Sequence, residues 1–230
     1  MDPKHFFYDD RLKGYCVYCG GPEETGDHAP SKVLLDPPYP PDLPVVLACE
    51  ACNVGFSEDE KYLACLLECT IAGTVDPSKL TRERIRRKLI DVPALGRLIE
   101  HSSTRTEDGA LHWHPDSLRV ENVVLKLARG HIAFEEGTPR DDEPSLVEVV
   151  PLPALSPDEI QALLGPWNSS EAWPEIGSRA FLRTTGKDVG PPMTPDGWVI
   201  VQPGRYRYRV AQTSVQMVLS EYLSCTVTWE

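Results

Sequence analysis

Two Cys-x-x-Cys pairs, Cys16/Cys19 and Cys49/Cys52, set the first constraint on this chain. A Cys-x-x-Cys turn lays two thiolates along one edge of a tetrahedron, and two such turns complete a four-sulfur site. The separation, about thirty residues, is somewhat wider than the commonest zinc-ribbon spacing. A closed site of four cysteines is structural, and its binding energy is folding energy. The pairs therefore predict a structural zinc ion on Cys16, Cys19, Cys49 and Cys52. The plainer alternative is two unrelated turns carrying free thiols. Seven cysteines in a chain without an export signal speak against a disulfide framework. Cys65 and Cys69, spaced i, i+4 on an apolar stripe, read as small core residues, as does Cys225 in a strand.

The start, MDPKHFFYDDRLKG, is acidic and aromatic, without the basic, apolar and small-residue segments of a signal peptide. No apolar run approaches membrane-spanning length. A cytoplasmic protein that makes no use of a membrane is the expectation.

The organisation reads as α+β, with a zinc-stapled module over residues 1–75 and a larger mixed helix and strand domain over 76–230. Five prolines between Pro37 and Pro44 suit neither a helix nor a central strand. They predict an extended loop between two strands, one around Gly26–Ser31 and one around Pro44–Cys49. Ser57 and Glu60 have capping-box spacing ahead of a helix through KYLACLLECTIA, closed by Gly73. Its stripe is Tyr62, Cys65, Leu66 and Cys69. Two shorter helices follow over DPSKLTRERIRRKLID and PALGRLIEH, then a long one over SLRVENVVLKLARGHIAFEE. Beyond residue 145 the expectation is strands at SLVEVVPL, RAFLRTT, WVIVQ, RYRYRVA and YLSCTVTW, interrupted by a helix at SPDEIQALLG.

Between the cysteine pairs lies Thr25-Gly26-Asp27-His28-Ala29-Pro30, and Asn53 directly follows the second pair. A zinc ion tying residues 16–19 to 49–52 would bring the Asp27-His28 segment near Asn53. Phosphodiester hydrolysis needs a group that deprotonates water near neutral pH, which histidine can be. It also profits from a hard divalent ion on oxygen ligands, and Asp27 and Asn53 each offer one. Neighbours on a strand point to opposite faces, so Asp27 and His28 need a twist or bulge to share one site.

The run C-V-Y-C-G, then D-H, then C-E-A-C-N resembles the HNH, or ββα-metal (His-Me finger), nucleases. The layout is similar to that of their recombination endonuclease VII branch and of small standalone bacterial HNH endonucleases. The similarity is strong over residues 16–63 and weaker over 123–137, around Leu125-Lys126-Leu127-Ala128-Arg129-Gly130. The resemblance implies a zinc-stapled ββα-metal, treble-clef-like module with His28 as general base. It implies Mg2+ or Mn2+ on Asp27 and Asn53, zinc on the four paired cysteines, and a nucleic acid, DNA first, as partner. Phe56 departs from the pattern, which has an acid one turn after the Asn. Glu60 or Asp59 from the next turn would be the substitute, in competition with Glu60 as a helix cap. For residues 76–230 the roles left open are substrate selection, partner binding and homodimer formation.

The net charge of −12 runs against a protein that coats nucleic acid by charge alone. It keeps a second reading in view: a catalytically silent zinc module that binds DNA or protein. The basic run Arg82, Arg84, Arg86, Arg87 and Lys88 reads as a phosphate-contacting face or as a solvated helix face, with the second favoured. Arg205, Arg207 and Arg209 alternate with Tyr206 and Tyr208, as in single-strand binders and equally in ordinary half-buried strands. His112 and His114, on either side of Trp113, read as surface residues.

Overall fold

The computed structural model describes residues 12–107, 111–166, 174–187 and 190–229. The acidic, aromatic first eleven positions lie outside the described residues. The chain is mixed α+β. In order its elements are β1 (Thr25–His28), β2 (Val45–Ala48), α1 (Glu50–Gly55), α2 (Ser57–Ala72), α3 (Glu83–Asp91) and α4 (Pro93–His101). Then come β3 (Ser103–Arg105), β4 (Leu111–Trp113), α5 (Ser117–Glu136), β5 (Leu146–Pro151), α6 (Pro157–Leu164) and α7 (Arg179–Thr184). The chain ends with β6 (Val199–Gln202), β7 (Tyr206–Ala211), β8 (Ser214–Leu219) and β9 (Leu223–Thr228). Two compact units result: Met1–Gly55 with Val124–Glu230, and Phe56–Val123. The boundary expected near residue 75 falls inside the second of them, just after α2.

The first unit holds the β1–β2 hairpin and a five-stranded antiparallel sheet in the order β5-β9-β8-β7-β6. Period-two alternation gives this sheet two apolar faces. On one, Tyr206 and Tyr208 of β7 are fully buried against His131 of α5, which stacks on Tyr208 at 3.7 Å between ring centroids. On the other, Trp198 and Val218 pack with Leu152 and with Ile160, Leu163 and Leu164 of α6. The alternating arginines serve this second face. The Arg209 guanidinium lies 4.4 Å from the Trp198 ring centre and donates to the carbonyls of Gly165 and Leu163 and to Gln216. Arg207 pairs with Glu221, and Arg205 with Asp36. Internal partners of this kind are those of an ordinary half-buried strand.

Two sequence expectations change here. RAFLRTT is the helix α7, because Ser178 supplies an N-cap, its hydroxyl accepting from the Phe181 N–H at 3.0 Å. A seven-residue apolar-basic run is too short for its period to separate helix from strand. β8 is a further strand between the two expected at RYRYRVA and YLSCTVTW.

His131 has no access to solvent, and its Nε2 lies 2.8 Å from the Tyr206 hydroxyl oxygen. Burial, with a smaller push from Lys126, holds its pKa well below the histidine range. As pH falls, the unfolded chain therefore takes up this proton first. Stability should drop by up to about 1.4 kcal/mol per pH unit below about 6.5, until the depressed native value is reached. Glu136 acts in the opposite sense between its raised pKa and the ordinary glutamate value, its carboxyl pushed up by burial and by Glu135. Melts of wild type and His131→Gln at about pH 7 and pH 5.5 isolate the histidine. The acid-induced loss should shrink in the variant, and an unchanged loss would contradict the assignment.

In the second unit, α2 is buried continuously from Tyr62 to Cys69, well beyond the single expected stripe. Burial lifts the Cys65 and Cys69 thiols to about 12, which suits core residues. Gly73 closes α2 in the left-handed conformation at φ 63°, as expected. The capping box does not form. Glu50–Gly55 is already helical and Phe56 stays in the right-handed region, so the Glu60 N–H finds the Phe56 carbonyl at 3.0 Å. Ser57 is thus the first helical residue, and the N–H its hydroxyl would have capped is already taken. Buried Glu68 performs a capping task across the chain, accepting from the N–H groups of Thr81 and Arg82 and from the Thr81 hydroxyl. α3 buries Ile85 and Leu89, while Arg86 and Arg87 pair with Glu83 on its outer side, the arrangement of a solvated face.

Candidate metal centre and the Asp27, His28 and Asn53 site

The first cysteine pair sits in a tight turn, where the Cys16 N–H donates to the Gly21 carbonyl and the Gly20 N–H to the Cys16 carbonyl. The Val17 N–H reaches the Leu47 carbonyl at 3.0 Å, fastening this turn to β2. The second pair spans the entry to α1: Cys49 follows β2 directly and Cys52 lies inside the helix. One ligand turn and the helix start are thereby brought together at the open end of one hairpin, where Thr25 pairs with Ala48.

All four Sγ atoms lie within 4.8 Å of one another, and those of Cys19 and Cys49 are 3.8 Å apart. A zinc–sulfur bond of about 2.3 Å implies a tetrahedral edge of about 3.8 Å. The cluster thus has the size and the donor chemistry to hold a zinc ion. Burial pushes the Cys16 and Cys52 thiols up, whereas the Cys52 N–H, 3.3 Å from the Cys49 sulfur, pulls Cys49 down. Among the described residues this is the one cluster of three or more His, Cys, Asp or Glu side chains placed to share an ion. His112 and His114 belong to no such cluster.

Asp27 and His28 pair with Val46 and Val45 in an unbroken antiparallel register. Without a bulge, their side chains leave opposite faces of β1. Asp27 points inward and is 7% exposed. Its Oδ2 accepts from the Tyr18 hydroxyl at 2.9 Å and lies 2.7 Å from the Lys126 ammonium. Lys126 also donates to the Ser31 hydroxyl at 2.9 Å. His28 is half-buried; its Nδ1 is shielded from solvent and makes no hydrogen bond among the described residues. Burial, reinforced by Lys32 and opposed by Asp27, lowers its pKa. A neutral imidazole is the protonation state a general base needs.

Asn53 sits in α1, its N–H on the Cys49 carbonyl and its side-chain amide 3.4 Å from the Thr25 hydroxyl at the far end of β1. The strand that carries His28 and the helix that carries Asn53 are thus joined by a direct side-chain bond. Asp59 is committed within the second unit, accepting from Asn122 at 2.7 Å and pairing with Arg119 at 3.0 Å.

No family model, curated protein or solved structure matches this chain. The roles of these residues therefore rest on their own chemistry.

Sequence reasoning passed over Tyr18, Ser31 and Lys126 as neighbours of Asp27. One signal was available. Lys126 stands within the apolar stripe of Val123, Val124, Leu127 and Ala128, where a charge must find a partner. Gly130 was a second. A Cβ there would lie 2.9 Å from the Ala29 Cβ and 3.4 Å from the Tyr18 hydroxyl oxygen, so the helix backbone runs hard against the end of β1.

Proposed function

We propose that the chain is an HNH-type nuclease, a hydrolase of phosphodiester bonds in DNA, with His28 as the general base. The observation that carries this reading is the half-buried His28, its imidazole held towards the neutral form by burial, on a strand that lies between the two cysteine pairs and is bonded through Thr25 to Asn53. Hairpin followed directly by helix, with ligand cysteines before the one and at the start of the other, supports a zinc-stapled ββα-metal module. In this role His28 takes a proton from the attacking water, and the cysteine cluster keeps strand and helix in register.

The family form of the site also has Mg2+ or Mn2+ on Asp27 and Asn53. The donor set here does not fit such an ion as it stands. Asp27 is buried, and one of its oxygens already serves an ammonium and a hydroxyl. A hard cation takes about six oxygens in open geometry, several of them water.

The same Asp27–Lys126 pair favours a second reading, a catalytically silent zinc module that binds nucleic acid or protein. Supercoiled plasmid incubated with Mg2+ or Mn2+ separates the two. Wild type should nick or linearise it, and His28→Ala should lower the rate by about 10²- to 10⁴-fold. Equal cutting by both proteins, or none by either across duplex, branched and single-stranded substrates, transfers the conclusion to the silent module.

A further inference from the structure

We propose that Asp27 is the fixed counter-ion of Lys126 and not an ion ligand, and that this pair bolts the cysteine-bearing hairpin to α5. This inference goes beyond the nuclease reading and does not depend on whether the chain cuts DNA. Its basis is geometric. The Lys126 side chain is 1% exposed and that of Asp27 9%, with 2.7 Å between Nζ and Oδ2. Both charges are shielded from water, and each has a further polar partner, Ser31 for the lysine and Tyr18 for the aspartate. A buried pair survives when its remaining hydrogen-bonding capacity is met in this way.

The partners come from the segments that must be held together. Tyr18 lies inside the first Cys-x-x-Cys turn, Asp27 on β1, Ser31 just after β1 and Lys126 on α5. One helical turn beyond Lys126, on the same face, Gly130 lets the α5 backbone press on Ala29 and Tyr18. Lys126 and Gly130 therefore form one docking surface, with charge at one end and close backbone approach at the other. The ammonium is a covalent part of α5 and occupies the place where a cation would meet the Asp27 carboxylate. Lys126 is by this account a positioning residue, setting β1 and, through β1, His28.

A double-mutant cycle on the full zinc-loaded chain tests the proposal. Asp27→Asn and Lys126→Met should each lower the melting temperature by about 10 °C, since each leaves one buried charge without its partner. The double variant removes both charges and should regain at least half of the loss. Mn2+, used as the probe ion, should shift the melting temperature of wild type and Asp27→Asn equally. Single variants that fail to fold beside a double variant that does fold also support the bolt. A double variant no more stable than the weaker single, or unfolded with both singles, overturns it. So does an Asp27→Asn protein of wild-type stability that has lost a Mn2+ shift the wild type shows. The nuclease reading stands or falls separately, on the His28→Ala plasmid assay.

Discussion

Stripping zinc from this protein with a strong chelator should unfold the region around the β1–β2 hairpin and take down its melting temperature by well over about 10 °C. The size of the effect follows from where the four ligands sit. Cys16 and Cys19 precede β1, and Cys49 and Cys52 follow β2, so an ion on them clamps the open end of a hairpin that has only four residues in each strand. A two-stranded hairpin is marginal by itself in water. Structural zinc contributes apparent binding energies of about 10–16 kcal/mol in small zinc modules, against about 5–15 kcal/mol for the whole stability of a typical domain. Without the ion, four thiols within 4.8 Å of one another must stay protonated or repel. Cys49→Ser should reproduce the chelator's effect, and the pure protein should release one zinc per chain in a colorimetric assay. Cys65→Ala, in the core of α2, should leave the zinc content untouched. A purified protein that holds no zinc and melts identically with and without chelator would show that the cluster is only four neighbouring thiols.

What the sequence made legible was whatever local chemistry specifies. The Cys-x-x-Cys turns, the proline-rich loop between two strands, the Gly73 stop and the length of α5 each follow from residues within a few positions of one another. What stayed hidden either carried a weak local signal or was set by partners far along the chain. α7 looked like a strand because its helical commitment lies in the Ser178 cap and in the tie of Arg183 to Glu135 on another helix. β8 escaped because its hairpin with β9 turns through Ser220 and Glu221 at positive φ, without the Gly or Asn that normally advertises such a turn. Asp27 shows the same limit at the candidate site. Its dipeptide with His28 suggested one shared centre, but the regular register of β1 sends the two side chains apart, and Lys126, the partner of Asp27, comes from α5.

Truncating Glu135 should be among the most damaging single changes in the first unit, costing about 3–5 kcal/mol. Glu135 is 3% exposed and stands at the centre of three elements. From α5 its carboxylate receives the Tyr208 hydroxyl of β7 at 2.7 Å, and Arg183 of α7 through Nε at 3.2 Å and through the terminal nitrogen at 3.3 Å. Replacing it by leucine keeps the apolar volume and removes every acceptor. The Arg183 side chain, 9% exposed, keeps the Pro191 carbonyl at 3.1 Å but loses the Glu135 carboxylate. The Tyr208 hydroxyl, inside a fully buried side chain, loses its acceptor, which alone costs about 1–3 kcal/mol. These losses share one carboxylate and will not sum. Two further readings separate the charge from the packing. Arg183→Met added to Glu135→Leu should recover much of the stability, because the charge that Glu135 balanced goes with it. Tyr208→Phe in the wild-type background should cost no more than about 1–3 kcal/mol, since it removes the donor and leaves the ion pair whole. Urea titrations of the four proteins make the comparison directly. If Arg183→Met worsens Glu135→Leu, the penalty lies in lost packing between α5 and α7, and the ion pair is not what holds α7 in place.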